Sequence, residues 1–179
     1  IKGSIRALAE RTGADVLITE IGGTIGDIEG QPFIEAIRQI GREAGKGNAI
    51  FIHVTLVPYL KASGEHKSKP TQHSVKELQG LGVSPDIIVL RSDEPIEKSI
   101  FQKIALFCNV KPDCVVENRT VPVLYDAPMM LDKSGFSHIV CRELGIDAPT
   151  ADMSEWEDIL KPIAHRTQTL PLALVRKYV

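Results

Sequence analysis

Short apolar runs alternate along the chain with segments of helical periodicity, and this alternation constrains the fold more than any other feature. The runs are rich in β-branched residues and lack regular polar alternation, which is typical of strands buried on both faces of a parallel sheet. We predict strands within four segments, ADVLITE (14–20), NAIFIHVTLVPYL (48–60), SPDIIVLRSD (84–93) and DCVVEN (113–118). Strands that alternate with helices indicate an α/β domain with a mainly parallel sheet, whose ligands bind at the carboxyl ends of the strands.

Helix signals fill the stretches between these runs. We predict helices over residues 1–12, 32–45, 70–80, 96–108 and, in two pieces, 121–144. Gly13 follows the first helix as a stop signal, and Gly135 divides the last one. In MSEWEDIL, Ser154 and Glu157 have the spacing of a capping box, so we predict that the Ser154 side chain caps a further helix.

The composition excludes several classes of protein. The 179 residues are 43% hydrophobic and 25% charged, with a formal net charge of -2, so there is no basic field to attract nucleic acid. No apolar run reaches the roughly 18 residues of a membrane-spanning helix. Three cysteines without CxxC spacing favour free thiols in the cytosol over a disulfide framework or a zinc site. We expect a cytoplasmic protein that binds neither nucleic acid nor a membrane.

The segment GEHKSKPTQHS places Lys67 and Lys69 against the start of a predicted helix, which Pro70 opens. The first turn of a helix has a positive potential, so cations there are unfavourable unless an anion lies between them. Free backbone N–H groups, Thr71 and Gln72 would add hydrogen-bond donors for a triphosphate. Taken alone, the segment fits either an anion site or two solvated lysines in a loop.

Other polar residues at strand ends and loops have two interpretations each. Glu20 ends the first predicted strand and could hold Mg²⁺ or cap a neighbouring loop. Asp27 and Glu29 lie in the glycine-rich segment GGTIGDIE. They could bind hydroxyls, amino groups or a metal, which suit carboxylates better than phosphates do, or they could belong to a solvated turn. Arg91 could stack on a base or form a surface ion pair. Lys103 lies off the apolar stripe of its helix, as a solvated lysine does.

Three long stretches resemble the CTP synthase family, in its ammonia-ligase (synthetase) domain: EIGGTIGDIEGQPFIEAIRQ, HVTLVPYLKASGEHKSKPTQHSVKELQGLGVSPDIIVLRSD and KIALFCNV. The resemblance extends over nearly the whole chain. It implies a three-layer α/β fold with a mainly parallel sheet of the phosphate-loop NTPase type, whose N-terminal phosphate-loop part is missing from this chain. It also implies ATP-dependent amination of UTP to CTP in pyrimidine biosynthesis, through a 4-phosphorylated UTP, with glutamine-derived ammonia and feedback inhibition by CTP.

The resemblance implies a role for each motif residue. Lys67 and Lys69 would be catalytic. UTP or CTP would be bound by Lys67, Ser68, Lys69, Pro70, Thr71, Gln72 and Lys103. CTP as inhibitor would be contacted by Asp27, Ile28 and Glu29. ATP would be bound by Arg91, Arg119, Thr120 and Val121. The Mg²⁺ ligand would be Glu20.

The resemblance also implies how the chain is organised. Residues 1–160 would form the C-terminal part of the ligase domain, 161–169 a linker, and 170–179 the first strand of a truncated glutamine amidotransferase domain. Because the chain opens at Ile1 in a helix already in progress, we expect it to be a piece of a longer protein. The resemblance implies that the whole enzyme is a homotetramer that takes ammonia from its glutaminase domain, and that this piece, without the phosphate loop, is inactive alone. Two alternatives remain: another phosphate-loop ligase, of the biotin-pathway type, or a non-catalytic nucleotide-sensing assembly module.

Overall fold

A computed structural model describes residues 1–165, 171 and 173. The strands are β1 (Ile52–Leu56), β2 (Tyr59–Leu60), β3 (Glu65–His66), β4 (Ile87–Ser92) and β5 (Val115–Arg119). The helices are α1 (Lys2–Thr12), α2 (Gln31–Ala44), α3 (Lys69–Gly80), α4 (Lys98–Cys108), α5 (Ala127–Lys133), α6 (Phe136–Glu143) and α7 (Ser154–Ala164). Among the described residues, no helix has both the length and the apolar character needed to cross a membrane.

A parallel three-stranded sheet in the order β1–β4–β5 forms the centre of the fold. Its register places Val54 opposite Val89, and Val89 opposite Val116. The first four residues of β4 are all buried, as expected for a central strand of a sheet flanked by helices. The predicted α/β class with a parallel sheet is therefore confirmed.

Two apolar clusters hold the elements together. The larger surrounds β4 and includes Val75 of α3, Ile104 of α4 and Ile139 of α6. The smaller joins Ile34 of α2 to Leu78 near the end of α3, together with Val83. Since burying one aliphatic side chain stabilises a fold by about 1.5–3 kcal/mol, the larger cluster contributes more of this stabilisation than the smaller one.

Most predicted elements are present. The predicted helix over 1–12 is confirmed as α1, and Gly13 ends it in a left-handed conformation (φ 60°) with its N–H bonded to the Ala9 carbonyl at 3.0 Å. The predicted break near Gly135 separates α5 from α6. The strands predicted in the second, third and fourth apolar runs are confirmed as β1, β4 and β5.

The strand predicted at residues 14–20 is wrong. This segment is irregular in the structure, and the Ile18 side chain is 90% exposed. A buried strand requires a neighbour that accepts its hydrogen bonds and covers its side chains. Within the described part of the chain, β1 pairs with β4 alone, so the apolar run of 14–20 has no ladder.

The capping box predicted for the last helix is also wrong. Ser154 is the first residue of α7 and its side chain makes no capping bond; instead its backbone N–H donates to the Asp152 carboxylate at 3.0 Å. Helix α7 continues to Ala164, so residues 161–164 of the predicted linker are helical. The strand predicted at 170–179 lies outside the described residues except at positions 171 and 173.

Candidate functional site

A short hairpin after β1 positions the lysine segment. Strands β2 and β3 pair in antiparallel orientation, with Tyr59 opposite His66. Gly64 closes the turn at φ 64°, a conformation that glycine adopts readily, and its N–H bonds to the Leu60 carbonyl at 2.8 Å. The Lys67 N–H then donates to the Pro58 carbonyl at 3.0 Å. Lys67 is thereby fixed beside the carboxyl end of β1.

Burial alternates along this segment. His66 and Ser68 are buried, whereas Lys67 is half-buried and Lys69 is exposed. The Ser68 hydroxyl accepts a hydrogen bond from the Gln72 side-chain amide at 3.1 Å. The two inward side chains therefore anchor the segment, and both lysine side chains reach solvent.

The start of α3 leaves backbone donors next to these lysines. Lys69 is the first residue of the helix and Pro70 the second, and the preceding Ser68 makes no side-chain capping bond to the helix. The N–H groups of a first helical turn have no partner within the helix, and they carry the positive end of its dipole. The predicted juxtaposition of two cations with a helix N-terminus is confirmed as geometry.

Thr71 is used inside the fold. Its side chain is 0% exposed, and its hydroxyl lies 3.0 Å from the Thr55 hydroxyl and 3.2 Å from the Leu56 carbonyl, to which it donates. The Gln72 amide is bonded to Ser68, as described above. The Gln72 N–H donates to the Ser68 carbonyl at 3.1 Å, so the side-chain groups of Thr71 and Gln72 and the Gln72 N–H all have partners within the fold.

Lys103 of α4 lies on the same side as Lys67. The Glu65 carboxylate accepts a hydrogen bond from the Lys67 ammonium at 2.5 Å, and this bond is the main reason why the pKa of Glu65 lies below its usual value. A bond from Ser63 and the positive charges of Lys67 and Lys103 lower it further. Glu65 therefore lies within the electrostatic reach of two of the predicted triphosphate-binding lysines.

Three of the predicted ATP-binding residues meet at the carboxyl edge of the sheet. Arg91 lies opposite Leu56 on one side and Asn118 on the other. Arg119 ends β5, and the Thr120 N–H donates to the Ser92 carbonyl at 2.8 Å. This edge is where parallel α/β sheets bind ligands.

Arg119 and Val121 also line a cavity of about 620 Å³. Its apolar walls include Met129 and Met130 of α5 and Leu160 of α7. The volume is within the range of about 300–1,000 Å³ that small-molecule sites occupy. Charged residues of both signs also line it, among them Asp126 and Glu157, so the cavity suits a flat, partly apolar ligand with polar groups at its edge.

The glycine-rich loop at residues 22–29 lies apart from the lysine segment. The Asp27 carboxylate accepts the Thr24 N–H at 2.9 Å, which closes a tight turn. Ile21 and Ile25 pack on the smaller apolar cluster, which contains Leu78, roughly 14 Å along α3 from its first residue. No hydrogen bond or ion pair among the described residues joins the carboxylates of this loop to the lysine segment.

Glu20 and the other predicted residues of this loop are exposed. Glu20 lies in the irregular segment, and Ile28 opens a short 3-10 turn that includes Glu29. Among residues 1–165, 171 and 173, no three His, Cys, Asp or Glu side chains are grouped to hold a metal ion. Glu20 thus offers a single carboxylate, the number of protein ligands that a Mg²⁺ bound mostly by water and phosphates can require.

The sequence reasoning missed His66. Its Nδ1 atom lies 3.1 Å from the Glu97 carboxylate, and its side chain is 1% exposed. The period-2 pattern of EHKSK, in which charged residues alternate with His66 and Ser68, contains the signal of an inward-facing side chain.

Comparisons with known proteins show the family to which the chain is similar. Residues 1–146 match the family model described as CTP synthase N-terminus. A protein named CTP synthase from Symbiobacterium thermophilum is 53% identical over 180 residues, which cover 100% of this chain and 33% of that protein. Proteins of the same name from Bacillus licheniformis and Streptococcus equi subsp. zooepidemicus are 50% and 49% identical, again over 100% of this chain and 34% and 33% of theirs. The chain spans about a third of the length of the curated relatives it matches.

Proposed function

The chain belongs to the CTP synthase family, and we propose that the native gene product, meaning the whole protein that contains these residues, aminates UTP to CTP with ATP and glutamine-derived ammonia. The observation that carries the proposal is the pair of solvent-facing lysines, Lys67 and Lys69, on a helix N-terminus beside Lys103. Three cations and free backbone donors form a site for a highly charged anion such as a nucleoside triphosphate.

The reaction has two steps. The O4 atom of the uracil ring attacks the γ-phosphorus of ATP, the ring N3 loses its proton to solvent, the bond to ADP breaks, and a 4-phosphorylated UTP forms. Ammonia then attacks C4, the phosphate leaves with the C4–O bond electrons, and the nitrogen loses a proton to solvent. Phosphorylation is needed because the C4 oxygen is otherwise a poor leaving group.

The lysine segment binds the triphosphate of UTP and offsets charge. Lys67 and Lys69 approach from one side, and Lys103 from α4. The backbone N–H groups of Lys69 and Thr71 are the first-turn donors, since Pro70 has no N–H and the Gln72 N–H donates to the Ser68 carbonyl at 3.1 Å; Pro70 fixes the course of this turn. Since two nucleotides with several negative charges must meet for the first step, these cations lower its barrier by electrostatic stabilisation.

ATP binds at the carboxyl edge of β4 and β5. The Arg91 guanidinium can stack on the adenine base, while Arg119 and Thr120 supply donors and Val121 an apolar surface. The cavity beside Arg119 and Val121 supports this placement. Glu20 would hold a Mg²⁺ ion, which when bound neutralises charge on the nucleotide phosphates.

CTP inhibits from a site that shares the triphosphate segment. Asp27, Ile28 and Glu29 contact the cytosine and ribose, since carboxylates suit amino and hydroxyl groups. This loop lies near the far end of α3 from Lys69, and we expect a second copy of the chain to supply one of the two parts of the site. A site shared between two copies fits the homotetramer that we propose for the whole protein.

Amination assays test the proposal directly. The native gene product, incubated with UTP, ATP, Mg²⁺ and ammonium chloride, should form CTP, and glutamine should replace ammonium when the glutaminase part is present. A folded protein that forms no CTP would overturn the proposal. We expect UTP and CTP, as well as ATP, each to raise the melting temperature, whereas a ligase that acts on a carboxylate should respond to ATP only. The 179 residues alone, a third of the relatives' length, should form no CTP.

A further inference from the structure

His66 is a buried side chain with an unusual environment. Its ring packs against the Tyr59 ring across the hairpin, with centroids 4.9 Å apart and planes tilted by 56°. Its Nδ1 atom lies 3.1 Å from the Glu97 carboxylate. Its Nε2 atom is buried and finds no hydrogen-bond partner among the described residues.

Stability does not account for a histidine at this position. A buried nitrogen without a partner costs about 1–3 kcal/mol, and an apolar side chain of similar size would avoid that cost. The aromatic contact with Tyr59 would be replaced by apolar packing of similar extent. What a hydrophobic residue cannot supply is the contact with Glu97.

Glu97 connects that contact to a second element. It precedes α4 at the N-cap position, yet its side chain makes no capping bond to its own helix. Its carboxylate pairs instead with His66, which is adjacent to Lys67 in the chain. Lys103 lies on α4, less than two turns from its first residue.

We propose that the His66–Glu97 contact is a clamp that sets the distance between Lys67 and Lys103. The clamp joins the two elements that carry these cations, which are β3 with its continuation and α4. His66 is thus a positioning residue for the triphosphate site, and this inference rests on the proposed function. Lys67 is held at its backbone by Pro58, so a second tether at the neighbouring side chain fixes the direction of the segment.

Substitutions of both partners test the clamp in the native gene product. His66→Leu removes the imidazole and keeps the apolar packing, and Glu97→Ala removes the carboxylate at a half-exposed position where loss of folding is not expected. Each should raise the Kd for UTP about five-fold, with less than a two-fold change for ATP. His66→Asn places an amide donor where Nδ1 was and should restore the Kd for UTP to within about two-fold of wild type.

A matched control is His53→Leu. His53 is also partly buried and its Nε2 atom lies 2.9 Å from the Ser74 hydroxyl of α3, but it lies on β1, away from the lysine segment. It should leave the Kd for UTP unchanged. The double variant His66→Leu/Glu97→Ala should have a Kd for UTP no higher than that of either single variant, because each substitution removes the same contact.

The outcomes separate the two proposals. If the wild-type protein fails to bind UTP, the proposed function fails. If it binds UTP and His66→Leu or Glu97→Ala binds UTP equally well, the clamp is refuted and the function stands. Additive losses in the double variant, or equal losses for UTP and ATP together with a lowered melting temperature, would also refute the clamp, because they indicate a general structural role.

Discussion

Replacing Thr71 with valine should destabilise the protein, because the Thr71 hydroxyl holds the first turn of α3 on the end of β1. The hydroxyl contacts the Thr55 hydroxyl at 3.0 Å and the Leu56 carbonyl at 3.2 Å, in a position that is 0% exposed. Valine has nearly the same shape, so the loss is of hydrogen bonds rather than of packing. At a net value of about 1 kcal/mol for each bond, Thr71→Val should lower the free energy of unfolding by about 2 kcal/mol.

Urea unfolding followed by circular dichroism measures that loss. Fluorescence of Trp156, the single tryptophan, provides a second probe. If the chain unfolds as one unit, about 2 kcal/mol lowers the melting temperature by roughly 4–8 °C for a chain of this size. The reference is Thr12→Val, which removes a hydroxyl bonded to the Leu8 carbonyl at 2.9 Å on an exposed helix end and should change the free energy by less than about 0.5 kcal/mol.

A second comparison distinguishes the hydrogen bonds from other effects of the substitution. In Thr55→Val/Thr71→Val both hydroxyls are gone, so no unpaired hydroxyl is left at position 55, and the double variant should lose less than the sum of the single variants. The reasoning is refuted if Thr71→Val unfolds within about 0.5 kcal/mol of wild type. It is also refuted if the loss appears only when nucleotide is bound, since that result would assign the hydroxyl to a ligand.

Two further predictions concern the thiols and the pH dependence. Burial raises the pKa of Cys108 and of Cys114 to about 11, so both thiols are protonated at pH 8, whereas Cys141 is less buried. Iodoacetamide labelling followed by mass spectrometry should therefore find Cys141 modified first. Rapid labelling of either buried thiol would contradict this prediction. The hydrogen bond from Lys111 is the main reason why the pKa of Glu143 lies below its usual 4.5. The charged Glu143 therefore stabilises the folded state fully above pH 4.5, and this stabilisation is lost as the pH falls through the lowered pKa. The difference in free energy of unfolding between wild type and Glu143→Gln should shrink on acidification, and a constant difference would refute the assignment.

The sequence predicts the elements whose signals are local. The helices and β4 were predictable because periodicity and an unbroken apolar run report directly on burial. The segment at 14–20 has the same apolar character as β4 but no strand partner in the structure, and pairing depends on residues distant in sequence. The capping box at Ser154 failed for a related reason, since the Glu157 N–H that its side chain would cap donates to the Met153 carbonyl, and the Asp152 carboxylate accepts the Ser154 N–H.

In the candidate site, too, the sequence predicts the local features and does not predict the contacts between distant residues. The pairing of Lys67 and Lys69 with a helix start follows from Pro70 and the residues around it, and the structure contains it. The inward direction of the Thr71 hydroxyl could not be predicted, because it depends on where β1 ends relative to α3. The contact of His66 with Glu97 spans 31 positions, beyond the reach of any local pattern.

Calorimetric titration of UTP into the native gene product tests the central claim, that the lysine segment binds the triphosphate of UTP. Removing one charge-assisted contact costs about 1.5–3 kcal/mol, so Lys67→Ala and Lys69→Ala should each raise the Kd for UTP and CTP by about ten-fold or more. ATP should bind within about two-fold of wild type. Lys76→Ala, an exposed lysine of the same helix, should change none of these affinities. Equal losses for UTP and ATP in the two variants, or unchanged binding of UTP, would contradict the account.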